Sequence, residues 1–139
     1  MKLPTRVRYA TRIMLDLAVS NCSSPVLSRD IAARQGISKS YLDNLVGPLK
    51  AAGLVKTKRG ARGGLILDKP LSQIRVSDIW AAMEGPICLI DCIHQTDSCP
   101  RYDQCITRDI WQEAEQTLNA TFESWNLEDL KKRTNEVDR

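Results

Sequence analysis

Two short helical patterns separated by a single glycine constrain the fold of this chain more than any other feature of its sequence. Ser28 can cap a first helix over Arg29–Gln35, and Gly36 stops it. Ser38 can cap a second, longer helix, whose apolar residues recur at three- and four-residue spacing up to Gly53. Two short helices across a tight, glycine-containing turn predict a helix-turn-helix.

A helix precedes this motif and a hairpin follows it. Apolar residues at helical spacing predict an amphipathic helix from Thr5 to about Asn21, and short apolar segments predict strands at 54–57 and 65–67. Between the strands lies Lys58–Gly64, where three glycines permit a sharp reversal and cations occupy the tip. A basic hairpin beside a helix-turn-helix is a wing. We also expect Gly47-Pro48 to kink the second helix of the motif or to end it early.

The sequence of the second half predicts a helix, a loop and a second helix. A helix around Val76–Met83 ends at Gly85-Pro86, an irregular stretch from Ile87 to Cys105 carries four of the five cysteines, and a long helix follows from about Ile106 to Trp125. The sequence thus predicts a mostly α-helical fold, with a winged helix-turn-helix over 1–85 and a cysteine-bearing sensor loop over 86–105. The segment 106–133 is predicted to contain a dimerisation helix and then a short helix from Leu127 to about Lys132. A disordered tail is predicted over 134–139.

The long helix is predicted to join two copies of the chain. Its apolar residues, which include two tryptophans, lie on one side, whereas Arg108, Asp109, Glu113 and Glu115 are placed elsewhere. A single helix with two tryptophans needs a large apolar partner surface, which predicts packing on its own copy in a symmetric dimer. Packing back on its own domain is the alternative.

The two halves of the chain also differ in charge. Up to Lys69 there are 13 basic and 4 acidic residues, and from Pro70 onward 7 basic and 13 acidic. A basic half predicts a polyanionic partner, with a solvated basic face as the alternative. The chain has no apolar run that could cross a membrane and no apolar stretch typical of a signal peptide, so we expect a cytoplasmic protein with reduced thiols.

Double-stranded DNA is the predicted polyanion, because the second helix of a helix-turn-helix enters the major groove. Asp43 can accept a hydrogen bond from cytosine and Asn44 can bind adenine, and an arginine at the wing tip, Arg59 first and Arg62 second, suits a narrow minor groove. The hydroxyls of Ser38, Ser40 and Tyr41 can form hydrogen bonds with bases or phosphates. For Tyr41 the alternative is that its side chain packs in the core. Phosphate contacts are expected from Arg6, Arg8, Lys39, Lys56 and Lys58.

The cysteines predict a site in the second half, with the spacing Cys88-x3-Cys92-x6-Cys99-x5-Cys105. Paired C-x2-C knuckles are absent, which argues against a zinc ribbon. Thiolates spread through a loop can wrap an iron–sulfur cluster, and zinc binding or a thiol switch are the alternatives. Cys22, apart from the rest, is expected to be an inert packed residue. With one histidine and no glycine-rich nucleotide loop, an enzyme is not expected.

Nearly the whole chain resembles the Rrf2 superfamily of winged-helix regulators, of the IscR and NsrR type. The matching stretches are Arg8-Tyr9-Ala10, Met14-Leu15-Asp16-Leu17-Ala18, Ile31–Ser38, Tyr41-Leu42, Gly53-Leu54-Val55, Arg59–Gly64 and Thr107–Trp111. The resemblance implies a homodimer on a palindromic operator, and a 2Fe-2S or 4Fe-4S cluster that senses iron, oxygen, redox state or nitric oxide. It assigns the cluster to Cys92, Cys99, Cys105 and one further ligand, and base reading to Ser38, Ser40, Tyr41, Asp43, Asn44 and Arg59.

This sequence departs from the family at the fourth cluster ligand. Some relatives place a histidine three residues after the last cysteine, where this chain has Arg108, and others use a side chain of the first helix, where this chain has Arg8 and Arg12. An arginine side chain does not ligate iron. The remaining candidates are Cys88, His94, a carboxylate such as Asp91 or Asp97, or a small exogenous ligand. A regulator with a thiol switch or a small-molecule effector, and no cluster, is the alternative function.

Overall fold

The computed structural model describes residues 1–20 and 23–138. In the first half, α1 (Thr5–Ser20), α2 (Ser28–Gln35) and α3 (Lys39–Ala51) each turn an apolar stripe inward. The stripe predicted for the first helix is buried at Val7, Ala10, Ile13, Met14, Leu17 and Ala18. These side chains form one side of the core, which confirms the helical spacing. The predicted end near Asn21 and the isolated Cys22 lie outside the described residues.

Of the two N-terminal caps predicted in the helix-turn-helix, the one at Ser38 is confirmed and the one at Ser28 is wrong. Gly36 ends α2 in the left-handed region, with φ of 65°, and Oγ of Ser38 caps α3 by accepting a hydrogen bond from the Tyr41 N–H at 3.0 Å. Ser28, however, is the first helical residue of α2, and Leu27 occupies the cap position. The chain enters α2 from an extended segment, so the helix begins one residue earlier than the sequence predicts.

The predicted early end of α3 at Gly47-Pro48 is also wrong, since α3 continues through Pro48 to Ala51. Proline inside a helix costs about 3 kcal/mol because it removes a hydrogen bond and crowds the preceding turn. Leu45, Val46 and Leu49 are buried around it. Burying side chains of this size contributes roughly 1.5–3 kcal/mol each, which offsets that cost.

An ion pair joins α1 to α2. Nη2 of Arg34 lies 2.6 Å from Oδ1 of Asp16, and the Gln35 amide donates to the other carboxylate oxygen at 2.8 Å. Desolvation raises the pKa of Asp16, but the hydrogen bonds from Arg34, Gln35 and Ser20 and the charge of Arg34 outweigh it, and together they hold that pKa below its ordinary value. The carboxylate is therefore ionised at neutral pH and stabilises the contact between the two helices.

The predicted wing is an antiparallel hairpin of β1 (Val55–Lys58) and β2 (Gly64–Leu67). Val26 adds a bridge that the sequence did not predict, with hydrogen bonds of 2.9 and 2.7 Å to and from Leu65. This approach requires glycine at position 64, where φ is 154° and a Cβ would lie 2.5 Å from the Val26 carbonyl oxygen. The wing is thus fastened to the segment that leads into α2.

Two further helices follow the wing in nearly the predicted places. α4 (Val76–Glu84) ends at Gly85, and α5 (Ile106–Ser124) ends one residue before the predicted end. The rings of Trp80 in α4 and Phe122 in α5 stack with centroids 5.4 Å apart. The cysteine stretch between these helices is not wholly irregular, because it contains short 3₁₀ helices at Asp91–Ile93, Thr96–Ser98 and Tyr102–Gln104.

The last helix, α6 (Leu127–Val137), differs most from the prediction. It continues past Lys132 into the stretch predicted to be disordered, because Asn126 and Asp129 form a capping box and the helix packs against α1. Leu127 is fully buried in the core of the first half, and its N–H donates to the Ile74 carbonyl at 3.0 Å. This helix therefore belongs to the winged-helix core.

Taken together, the described residues give a mostly helical protein with a small two-stranded hairpin, which confirms the predicted winged helix-turn-helix with a long helix near its C-terminus. Within 1–20 and 23–138, no helix combines the length and the apolar character needed to cross a membrane.

Candidate nucleic-acid interface and cysteine site

The outer face of α3 is free for a partner. Leu42, Leu45, Val46 and Leu49 fix the helix to the core from its inner side. On the opposite side, most of the residues predicted to read bases are exposed at its start: Ser38, Ser40, Asp43 and Asn44. A helix fixed along one face with polar groups at the other face and at its N-terminus has the geometry that enters a major groove.

Tyr41 stands apart from this set. Its side chain is half-buried, and its ring meets the Tyr9 ring of α1 edge to face, with centroids 5.8 Å apart. Tyr41 therefore packs against the core, which is the alternative given for it in the sequence, and it remains partly exposed.

Charged partners already surround several of the predicted DNA contacts. Nζ of Lys39 lies 2.8 Å from Asp43, Nζ of Lys56 lies 3.1 Å from Asp68, and Arg6 lies 3.9 Å from Glu84. All of these pairs are at least one-third exposed, and surface pairs contribute little. The lysines and the arginine can therefore exchange these carboxylates for phosphates.

The wing presents its cations at an exposed tip. Arg59 and Arg62 are exposed, and the reversal between them is closed by a 3.0 Å hydrogen bond from the Gly63 N–H to the Gly60 carbonyl. A Cβ at Gly63 would lie 2.2 Å from the Lys58 carbonyl oxygen, so only glycine fits this turn. The turn holds both guanidinium groups away from the core.

The four cysteines of the second half are free thiols, and they do not share one environment. Cys92 lies in the first 3₁₀ helix, Cys99 follows the second, and Cys105 occupies the cap position of α5; these three are half-buried. The hydroxyl of Thr107, 3.3 Å from Sγ, holds the pKa of Cys105 below its ordinary value, and the Arg108 backbone N–H adds to this effect. A thiolate, the form that binds metals, is favoured there.

A tighter group forms around Cys88. The donor atoms of Cys88, His94 and Glu115 all lie within 4.8 Å of one another. Desolvation, followed by the negative charges of Glu115 and Asp91, raises the pKa of the Cys88 thiol. The structure thus brings the two predicted candidates for a fourth ligand, Cys88 and His94, onto one acidic side chain.

Glu115 is predicted by the pattern of the long helix to lie off its apolar side, and this prediction is wrong. The residue is only 5% exposed, and its carboxylate accepts hydrogen bonds from the Leu89 N–H at 2.9 Å and lies 2.6 Å from Nε2 of His94. The signal was its spacing, because position 115 follows Trp111 by four residues and precedes Leu118 by three, so that it shares their helix face. An acid within an apolar stripe marks a buried polar contact.

Of the three arginines at the usual fourth-ligand positions, Arg108 and Arg12 make contacts within the protein, whereas Arg8 is exposed. Arg108 donates to the Tyr102 carbonyl and lies 4.2 Å from the centre of the Tyr102 ring, and Arg12 donates to the Gln35 side chain at 2.9 Å. Of the acidic candidates, Asp91 lies 4.0 Å from the Cys88 sulfur and Asp97 is exposed.

The chemistry of the cysteine segment fits an iron–sulfur cluster. Half-buried thiols at Cys92, Cys99 and Cys105 supply the soft donors that such clusters require, and successive short turns separate them. Among the described residues, the donor atoms that lie within 4.8 Å of one another are those of Cys88, His94 and Glu115.

Comparison with known proteins gives one consistent family. The Rrf2 family, described as an iron-dependent transcriptional regulator, matches residues 3–133. Over 130 residues the chain is 40% identical to the protein rrf2 of Nitratidesulfovibrio vulgaris, which covers 94% of this chain and 87% of that protein.

Solved structures agree with this match. The structure of T. potens IscR superposes with a TM-score of 0.83 at 32% identity, covering 100% of this chain and 92% of the other. CymR, the global cysteine regulator of B. subtilis, superposes with a TM-score of 0.80 at 34% identity, covering 96% and 98%.

Proposed function

This chain belongs to the Rrf2 family of transcriptional regulators, and from that premise we propose that it binds a palindromic operator as a cytoplasmic homodimer and carries an iron–sulfur cluster on Cys92, Cys99 and Cys105. Members of the family bind DNA and are not enzymes. The observation that carries the DNA-binding part is the exposed first turn of α3, fixed from behind by the core and standing in the same domain as a basic wing.

Each contact has its own role in this proposal. Asn44, Asp43 and Ser40 read base edges in the major groove, and Arg59 and Arg62 enter the minor groove beside it. Arg6, Arg8, Lys39, Lys56 and Lys58 neutralise phosphates, so affinity falls steeply as salt rises.

Selection from a random DNA library tests this part. We expect an enriched site with two-fold symmetry and half-sites about 10 base pairs apart, one helical turn. Asn44→Ala should relax the base preference at one position of each half-site, and Arg59→Ala should weaken binding. Lys132→Ala, at an exposed position of α6 paired with Glu128, is the control and should bind as the wild type does. Binding without enrichment of any symmetric site would contradict the proposal.

The dimer part rests on the first half of α5. Ile106 is 82% exposed, Ile110 57% and Trp111 46%, and a groove of about 800 Å³ lined by Trp80, Trp111 and Phe122 runs beside them. Apolar side chains concentrated in this way favour burial against a second copy. Ile110→Glu should convert the dimer into a monomer in sedimentation equilibrium. Glu123→Gln, at an exposed position on another side of the same helix, should leave it dimeric.

The cluster part rests on the half-buried thiols and on the lowered pKa of Cys105, whose first cause is the contact with Thr107. A bound cluster would supply sensitivity to iron, oxygen, redox state or nitric oxide. The cysteine segment joins α4 to α5, so ligation within it would restrain the start of α5. Restraint there fixes the spacing of the two recognition helices, which must match about 34 Å of DNA.

Anaerobic reconstitution with iron and sulfide tests the cluster. We expect visible charge-transfer absorption with bound iron and sulfide in the wild type, and its loss when Cys92, Cys99 and Cys105 are all replaced by Ser. Cys88→Ala and His94→Ala identify the fourth ligand: loss or a spectral change in one of them assigns it, and wild-type spectra in both favour an exogenous ligand. A wild-type protein that stays colourless contradicts the cluster.

A thiol-based regulator is the second candidate, and two observations favour it. Cys88, Cys92, Cys99 and Cys105 are free thiols, and the pKa of Cys105 is lowered toward the thiolate. A structural neighbour, CymR of Staphylococcus aureus, has been solved in an oxidized form. In that case, DNA binding by iron-free protein should respond to a mild oxidant and recover with a reductant, and Cys105→Ser should abolish the response.

A further inference from the structure

One cluster of side chains is not used by the proposed DNA contacts or by the three cluster cysteines. It consists of Cys88, His94 and Glu115, whose sulfur, nitrogen and oxygen donors lie within 4.8 Å of one another. Two chain segments supply it, because Cys88 and His94 flank the first 3₁₀ helix of the cysteine segment while Glu115 lies in the middle of α5.

We propose that Cys88, His94 and Glu115 form a second, mononuclear metal site for a divalent transition-metal ion such as Zn²⁺. The site does not depend on the cluster, since it uses none of Cys92, Cys99 and Cys105. Three protein ligands leave one coordination position open to water or to a small anion.

The donor set selects the class of metal. A thiolate, an imidazole and a carboxylate together match Zn²⁺ and its neighbours among the first-row divalent ions, whereas Mg²⁺ and Ca²⁺ prefer oxygen ligands alone. The chain has one histidine, and it is the residue placed here.

Glu115 is the anchor of the site. Its side chain is 6% exposed, and one carboxylate oxygen, Oε2, is held by the Leu89 backbone N–H at 2.9 Å. The other oxygen, Oε1, faces Nε2 of His94 at 2.6 Å. A buried carboxylate whose orientation is fixed through one oxygen presents the other to a ligand at little further entropic cost.

Binding requires only small movements. In a tetrahedral zinc site, bonds of about 2.0–2.3 Å place neighbouring donor atoms roughly 3.3–3.5 Å apart. The distance between His94 Nε2 and Glu115 Oε1 therefore has to lengthen by less than an ångström. The Cys88 sulfur, which lies within 4.8 Å of the other two donor atoms, has to move toward them by roughly an ångström. His94 is 49% exposed and Cys88 is exposed, so both can move while the buried Glu115 stays in place.

The site would link the cysteine segment to α5. In the structure this link consists of the His94–Glu115 contact and the Leu89–Glu115 hydrogen bond. A metal ion at the same point would replace the hydrogen-bonded contact by coordination bonds. It would thus hold the segment on the helix while leaving the loop from Thr96 to Gln104 free.

Cobalt provides the direct test, because a Co²⁺–thiolate bond absorbs in the near ultraviolet and tetrahedral Co²⁺ absorbs in the visible. The background is the full-length chain with Cys92, Cys99 and Cys105 replaced by Ser, which cannot form the proposed cluster. We expect one equivalent of Co²⁺ to bind with both absorption features, Zn²⁺ to displace it, and excess Mg²⁺ to have no effect.

Variants on this background assign the ligands. Cys88→Ser should abolish the near-ultraviolet band, and Glu115→Gln, which keeps an acceptor for the Leu89 N–H, should weaken Co²⁺ binding by about tenfold or more. Glu113→Gln is the matched control on an exposed position of α5, and it should bind as the background does. Absence of stoichiometric Co²⁺ binding in the background, or a thiolate band that survives Cys88→Ser, would overturn the proposal.

A final measurement separates this site from the proposed cluster. Reconstituted wild-type protein should bind one additional equivalent of Zn²⁺ with its visible spectrum unchanged. If instead Zn²⁺ bleaches the cluster, and Cys88→Ala or His94→Ala alters the cluster spectrum, the trio belongs to the cluster and the second site is refuted. If no cluster forms while the triple-Ser chain binds Co²⁺ as described, the metal site stands and the proposed cluster fails.

Discussion

Replacing Leu127 with alanine tests whether α6 is part of the winged-helix core. The side chain is fully buried in the cluster that α1, α3 and α4 share, although it lies far along the chain from them. Backbone hydrogen bonds reinforce the contact: the Leu127 N–H donates to Ile74 at 3.0 Å, and the Val76 N–H donates to Trp125 at 2.9 Å.

The expected loss follows from the burial. A fully buried leucine truncated to alanine costs about 2–5 kcal/mol, from lost transfer free energy and from the cavity that remains. The backbone bonds beside Leu127 limit how far α6 can move to fill that cavity, which favours the upper half of the range. At roughly 3 °C per kcal/mol for a chain of this size, Tm should fall by about 6–15 °C.

Thermal and urea unfolding of the purified protein measure this loss. Val137→Ala is the matched control, because Val137 lies on the same helix and is 84% exposed, and it should change stability by less than about 0.5 kcal/mol. If Leu127→Ala is no more destabilising than Val137→Ala, then α6 does not pack on the core in solution and its placement is wrong.

Three further predictions concern the helix-turn-helix and the wing. Because the pKa of Asp16 is lower in the folded protein, its ion pair with Arg34 stabilises the protein above the ordinary carboxyl pKa and loses that effect as pH falls through the folded pKa. In urea unfolding at several pH values, Asp16→Asn should lower the free energy of unfolding by about 1–2 kcal/mol at pH 7 and leave it unchanged in strong acid. Gly64→Ala should destabilise by about 1–3 kcal/mol, since its Cβ would strike a carbonyl at 2.5 Å, whereas Gly47→Ala, with nothing within 4 Å, should stabilise by up to ~1 kcal/mol in thermal unfolding. Ser38→Ala should cost about 1 kcal/mol through the lost cap, whereas Ser38→Asp should keep the cap and weaken binding to labelled operator DNA, measured by anisotropy.

Local rules predicted the parts of the fold whose causes are local. Gly36 adopts the left-handed conformation that helix termination favours, Ser38 caps α3, and the glycines between β1 and β2 make the reversal. The helical spacing of apolar residues correctly indicated which faces are buried in α1 and α3. Each of these features depends on neighbours within a few residues, so the sequence contains the necessary information.

The features that local reasoning missed depend on distant partners. Pro48 stays inside α3 because the core holds the helix on both sides of it, and α6 is longer than predicted because α1 provides its packing surface. Val26 joins the wing through a bridge to Leu65, 39 residues further along the chain. Glu115 is buried because the cysteine segment covers it. No propensity near these residues indicates such contacts.

The two ends of α5 are held differently, and this difference determines where the cysteine segment can act. At the C-terminal end, Phe122 stacks on Trp80 and the chain then turns into α6, whose first residue is fixed in the core. At the N-terminal end, Cys105 occupies the cap position without a capping hydrogen bond from its side chain, and Ile106 and Ile110 are exposed. In the proposed regulation, ligation or oxidation of the cysteines would therefore act on the direction of the N-terminal half of α5, while its C-terminal end stays fixed. Because that half is the proposed dimer face, a small change in its direction would alter the distance between the two recognition helices without disturbing either winged-helix core.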